Sequence, residues 1–404
     1  MFAGIALPGR TIAGLAAAAL FSGTAIAQAH VHHGMSAGEG RPPGPELGAL
    51  AAFDARGTLW AAHKDSGYVV VSRSEDLGRS WSATTRVNAA PEATDTGGEA
   101  RPKVAIGPGG EVYVTWTKAL GKPYTGEIRF SRSLNGGRTF SAPVRVHADR
   151  QVITHRFDSI AVNRSGQIFV AWIDKRDGVA AAKAPAAPAY RGAAVYFAVS
   201  DDRGTTFRGD HKLADNVCEC CRIALLPQDD GSVIAMWRHV FAPNIRDHAI
   251  AKMHVDGRAD PVQRATFDDW RSDVCPHHGP SLAEDADGIL HAVWFTQAPG
   301  RSGVFYGRLR DGAVEGQRQV GGDTAEHADL AVTGRRVAMA WKEFDGERSQ
   351  LRAMVSESGG KTWRELQLAS TKGASDQPRV LVRNDRFYVF WNTRNEPLSL
   401  VALP

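Results

Sequence analysis

All four cysteines of the 404-residue chain fall in two short segments, Cys218-Glu219-Cys220-Cys221 and Cys275-Pro276-His277-His278-Gly279-Pro280. Thiolate and imidazole are ligands that suit Zn²⁺ and Cu⁺, and the two segments hold enough of them for a closed or three-coordinate centre. Cys218, Cys220, Cys221, Cys275, His277 and His278 are therefore candidate ligands for copper or zinc. The same residues support a plainer chemistry. An even number of cysteines in an oxidising compartment predicts disulfides, with Cys275 joined to Cys218, Cys220 or Cys221. The readings are compatible, because one disulfide leaves two thiols and the histidines. The Cys-x-Cys-Cys spacing favours metal, since a bond between adjacent Cys220 and Cys221 is strained.

The N-terminus adds a second histidine group and sets the compartment. Arg10 precedes an apolar run from Ile12 to Phe21, and small residues follow at Ala25, Ala27 and Ala29. This is the pattern of a secretory signal peptide over 1–29, so a periplasmic or secreted protein is expected. A flexible His-rich segment over 30–46 follows, and the folded part spans 47–404. Cleavage after Ala27 makes His30 the third residue, and cleavage after Ala29 makes His32 the third. A free amine followed by such a histidine chelates Cu²⁺ in a square plane; otherwise the segment is a solvated tail. The signal's apolar run is too short to span a bilayer, and no later segment is long enough.

The elements that must position these residues recur along the chain. One unit is a short apolar strand, a Gly turn, and a second strand closing on an aromatic residue. Arg101 to Trp116 and Ser159 to Trp172 show it, as do the units ending at Trp237, Trp294, Trp341 and Trp391. A weaker first copy runs from Leu47 to His63. Strand-forming residues between turn residues, repeated about every 40–60 residues, describe an all-β propeller of four-stranded blades. The repeat count gives seven blades. The chain ends soon after the third strand of the last copy, so a segment near residues 40–50 is expected to complete that blade. Ala180 to Ala189 reads as a long loop in the third blade.

A second motif follows several strands. Ser74, Asp76, Gly78 and Trp81 fit S-x-D-x-G-x-x-W, and Ser200, Asp202, Gly204 and Phe207 repeat it with Phe. Ser133, Asn135, Gly137 and Phe140 keep the frame with Asn, and Ser356, Gly360 and Trp363 keep it with Ser358. These resemble the Asp-boxes, or bacterial neuraminidase repeats, of the sialidase-like superfamily. That resemblance implies structural turns on the rim, a six-bladed propeller as the alternative to seven, and a ligand site elsewhere. It also implies an arginine triad for an anionic sugar and a tyrosine nucleophile. Arg101, Arg156, Arg222 and Arg379 precede or begin inner strands and are candidates for the triad, with Tyr306 for the nucleophile. The family's Arg-Ile-Pro motif is absent; Arg101-Pro102 is the nearest match.

Aligned repeats place both cysteine segments immediately before innermost strands, as they do Arg101, Arg156, His327 and Gln377. Such positions ring one mouth of a propeller's central channel, where Glu219, Glu326, Asp376, His155 and His327 can join. The sequence thus points to a funnel that binds a metal, a small molecule or a glycan. An exo-acting glycosidase and a protein-binding scaffold are the alternatives. The formal net charge of +4 is spread along the chain without basic runs, which argues against nucleic acid.

Overall fold

Strands rich in Val, Ile, Phe and Trp, separated by glycine turns, stack into seven antiparallel sheets. The computed structural model describes residues 47–183, 192–273, 276–396 and 398–404. The expected signal peptide, the segment 30–46 with His30 and His32, and Cys275 lie outside them. The innermost strands are Leu50–Phe53, Lys103–Ile106, His155–Val162, Ala224–Pro227, Ser281–Glu284, Ala325–Thr333 and Arg379–Arg383. Each packs against the next around one axis, and the last packs against the first. Blades one to six have four strands; the seventh has three among the described residues. The count of seven stands, and the six-bladed alternative is excluded.

Burial on both faces explains the composition. In the third blade every residue of Ile168–Asp174 and Ala193–Ser200 is buried, because a blade is covered by neighbours on either side. Trp116, Trp172, Trp237, Trp294, Trp341 and Trp391 lie in equivalent second strands and are at most 2% exposed; only Trp391 ends its strand, since the others run on past the indole. A buried indole N–H needs an acceptor. Trp116 donates to Glu92 (2.6 Å), Trp172 to Asp174 (2.8 Å), Trp294 to Asp268 (2.7 Å) and Trp391 to the Asp376 carbonyl (3.1 Å).

The four turn motifs share one hydrogen-bond scheme. The serine Oγ accepts from the glycine N–H at 2.7–2.9 Å in all four, at Gly78, Gly137, Gly204 and Gly360. The third residue of the motif accepts from a backbone N–H four residues on: Asp76 from Ser80, Asn135 from Thr139, Asp202 from Thr206 and Ser358 from Thr362. These side chains are consumed by their own turns. Each glycine has a positive φ, and at Gly360 a Cβ would lie 1.9 Å from the Tyr306 hydroxyl, which forbids any side chain.

One expectation is corrected and another stays open. Leu50–Phe53 pairs with Leu59–Asp65 in the first blade, and most of the segment near residues 40–50 that is expected to complete the seventh blade lies outside the described residues. Among the described residues a side chain also joins the first and last blades: Asp376 accepts from Gly48 N–H (2.7 and 2.9 Å), Ala49 N–H (2.9 Å) and Asn392 Nδ2 (2.8 Å). The described start of the expected loop at Ala180 is not irregular, since Arg176–Ala182 forms a short helix. No helix of the described residues is long and apolar enough to cross a membrane.

Asp376→Ala strands two backbone donors at the ring joint and should lower stability by about 2–3 kcal/mol in denaturant unfolding. Unchanged stability would mean that the clasp is not needed for closure. Burial holds His147 down to about 3 and His239 to about 4, and pushes His248, His291 and His327 below the usual histidine range. Below about pH 6.5 the unfolded chain binds protons that these folded imidazoles refuse, so protons favour unfolding. The melting temperature should hold above pH 7 and fall steadily from about pH 6.5 towards 4.5, before most carboxylates titrate. A flat profile over that window would contradict neutral burial of these side chains.

Candidate functional site

The residues that lead into the inner strands meet at the axis, and most are charged. Lys103 Nζ donates to the Glu99 carbonyl (2.9 Å) and pairs with Asp158 (3.5 Å). Arg222 pairs with Glu99 (3.3 Å) and donates to the carbonyls of Pro280 (2.9 Å) and Ala328 (3.0 Å). Arg379 pairs with Asp329 (3.0 Å), whose other oxygen accepts from Val380 N–H (2.8 Å). Arg101 donates through Nη1 to the carbonyls of Ala49 (3.2 Å) and Gln377 (3.0 Å), bridging the first and last blades. Its buried Nη2 has no partner among the described residues. Desolvation lowers the pKa of Arg379, with the charges of Arg222 and Arg101 adding to it, so these three candidate arginines converge. Arg156 does not join them; it binds Asp95.

At the edge of this network lies a histidine pair. His278, Glu326 and His327 each offer a ligand atom within 4.8 Å of the others. His278 stacks on Phe295 (4.0 Å between centroids) and on His327 (4.3 Å). A β-bulge aims His327: the strand register shifts between Glu326 and Asp329, and His327 takes φ +53°. In the amide orientation that satisfies both neighbours, Gln377 Nε2 donates to both Glu99 oxygens (2.9 and 3.0 Å). Its Oε1 then accepts from His327 Nδ1 at 3.0 Å. The proton is thereby fixed on Nδ1, and Nε2 lies 3.8 Å from Glu326 Oε2, while the other oxygen of that carboxylate pairs with Lys342 (3.2 Å). Burial, followed by nearby His278, Lys342, Arg222 and Arg101, keeps His327 neutral. Such a tautomer-fixing partner is what orients metal-bound imidazoles.

The cysteines form a separate group. The sulfurs of Cys218, Cys220 and Cys221 lie within 4.8 Å of one another in the core between blades three and four. Cys220 is in a disulfide, which meets the expectation of at least one such bond. Cys218 and Cys221 keep reduced sulfur, and Cys221 donates to Cys218 Sγ at 3.7 Å. Arg246 Nη1 donates to the same sulfur at 3.5 Å. The hydrogen bond from Cys221 comes first, and the charges of Arg238 and Arg246 help; together they outweigh burial and hold Cys218 below the ordinary thiol range, while Cys221 is pushed up. The single Cys/His ligand set expected from sequence is therefore split into a sulfur group and an imidazole–carboxylate group among the described residues.

The other candidates sit elsewhere. Tyr306 is fully buried, hydrogen-bonded to His291 Nδ1 (2.7 Å) and packed edge-on against Trp363, which gives it a packing role in place of a nucleophile's. His277 is exposed with φ +58°. Glu219 pairs with Lys175, and His155 stacks on His147 (4.0 Å) away from the mouth. Asp376 is the ring clasp. Sequence reading did not connect Gln377 and Glu99 to His327, although the repeat alignment placed Gln377 and His327 at matching positions. Arg238 and Arg246 carry no sequence signal, since they fall within and after an ordinary second strand.

No family model matches the chain, and no curated protein matches it. Solved structures do. An ulvan lyase of polysaccharide lyase family PL25 aligns with a TM-score of 0.54 at 12% identity, covering 89% of this chain and 93% of the lyase. An α-L-arabinanase of Penicillium chrysogenum aligns at 0.51 and 13% identity, covering 75% of this chain and 92% of its own. The Hadza microbial sialidase Hz136 aligns at 0.50 and 13% identity, covering 84% and 74%. Similarity at these identities is one of fold. The expected relationship to sialidases broadens to a distant one with several carbohydrate-active propellers, lyases and arabinanases included.

Proposed function

We propose that this chain is a metal-binding propeller whose ion sits at the axial mouth, held by His278, His327 and Glu326. The observation that carries the reading is the Glu99–Gln377–His327 chain, which spends Nδ1 of His327 on the protein and turns Nε2 towards the carboxylate. Two imidazoles and one carboxylate suit Zn²⁺, and Cu²⁺ is the other ion this nitrogen-rich set favours. Three protein ligands leave a coordination position for water or a substrate. The disulfide at Cys220 supports export to an oxidising compartment, in keeping with the signal-peptide pattern at 1–29.

Dialysis against Zn²⁺ or Cu²⁺ followed by elemental analysis and titration calorimetry tests this. One ion per folded chain is expected, lost in His278→Ala and His327→Ala. Gln377→Ala should keep the ion but weaken it about 10–100-fold. The double variant Cys218→Ser/Cys221→Ser should bind normally. Metal that disappears with the cysteines and survives loss of both histidines would overturn the assignment.

A second reading, an anionic carbohydrate at the same mouth, is favoured by the spare Nη2 of Arg101 beside the partly exposed Arg379. The carbohydrate-active fold relatives support it. Acidic oligosaccharides such as uronate-containing fragments should then bind the parent protein, and Arg379→Ala should weaken them at least tenfold with the fold intact. No binding by a panel of acidic and neutral oligosaccharides would dismiss this reading and leave the metal site standing.

A further inference from the structure

We propose that Cys218 and Cys221 are a redox-active dithiol, which closes to a disulfide by exchange with an incoming disulfide and gives the propeller a second chemistry distinct from metal binding. The two residues have Cys-x-x-Cys spacing and occupy the turn between the strand Arg208–Val217 and the strand Ala224–Pro227. Their sulfurs are 3.7 Å apart, so bond formation at about 2.05 Å needs a small movement within one turn. Cys221 is the donor and Cys218 the acceptor, which is a thiol beside a nascent thiolate. Arg246 donates to that thiolate, and the buried Arg238 is close enough for its charge to reach it.

The same surroundings argue against a metal on these sulfurs. Two guanidinium groups favour an anion there and repel a cation. The third sulfur, Cys220, is already spent in a disulfide and cannot act as a thiolate ligand. An anionic sulfur that is hard to metallate but easy to keep deprotonated is a nucleophile for thiol–disulfide exchange.

Cys218 thiolate attacks one sulfur of an external disulfide, forming a mixed disulfide and releasing one thiolate. Cys221, losing its proton to that leaving group, attacks Cys218 Sγ and expels the second thiolate. The dithiol is oxidised by two electrons and the external disulfide is reduced to two thiols. Both cysteines are buried, at 0% and 2% exposure, so the reagent must enter as this turn opens locally.

The full chain, equilibrated in glutathione buffers of graded reduced-to-oxidised ratio and quenched in acid, gives the test. Thiol counting should show two thiols lost together at the oxidising end and regained at the reducing end, with Cys220 still bonded throughout. Peptide mapping should find a Cys218–Cys221 link, and circular dichroism should not change. Cys221→Ser should instead trap glutathione on Cys218, one equivalent per chain. Should that variant fail to fold, Arg246→Met keeps both sulfurs and should slow the closure several-fold. Thiols that persist in the folded protein at every ratio, or that oxidise only in denaturant that unfolds the chain, would overturn the proposal. So would a link from either residue to Cys220.

Discussion

Seven strands converge on one axis, and most of the charged residues that lead into them are buried there. Arg101, Lys103, Arg222 and Arg379 share it with Glu99, Asp158 and Asp329. Charges taken from water must find partners or be expelled, and here each one is spent on a neighbouring blade's carbonyl or carboxylate. The axis is thus a set of staples before it is a site. One nitrogen of Arg101 has no partner among the described residues, and at the edge His278, His327 and Glu326 meet, with Glu326 also paired to Lys342 (3.2 Å). The local surplus of positive charge also helps keep His327 neutral.

The same logic separates sulfur from imidazole. Arg238 donates to the carbonyls of His278 (3.2 Å) and Phe295 (2.7 Å), lies over Trp270, and places its charge near Cys218. On one side of it the field favours anionic sulfur. On the other lie a carboxylate and two imidazole rings, the ligand atoms of the proposed ion site. One buried guanidinium therefore stands between two groups whose residue types alone suggested a single centre.

The framework was legible in the sequence because each blade announces itself locally. The tryptophans recur at one place in a two-strand unit, and the Ser-x-Asp-x-Gly turns carry their own hydrogen-bond partners four residues away. Both signals live within one blade. The clasp between the first and last blades was not legible, because it is Asp376 reaching Gly48, 328 residues away in the chain. The histidine site was half legible. Repeat alignment brought His278, His327 and Gln377 to the same mouth, but the bulge that turns His327 inward is a single residue at positive φ with no side-chain signature. The split of the cysteines from the histidines depended on Arg238 and Arg246, whose roles exist only after folding.

Contiguous blades have a consequence for the history of such rings. Blades one to six are each one unbroken stretch of chain. A gene could therefore gain or lose one of these blades by in-frame duplication or deletion without rethreading any sheet. Only the angle between neighbours would have to readjust.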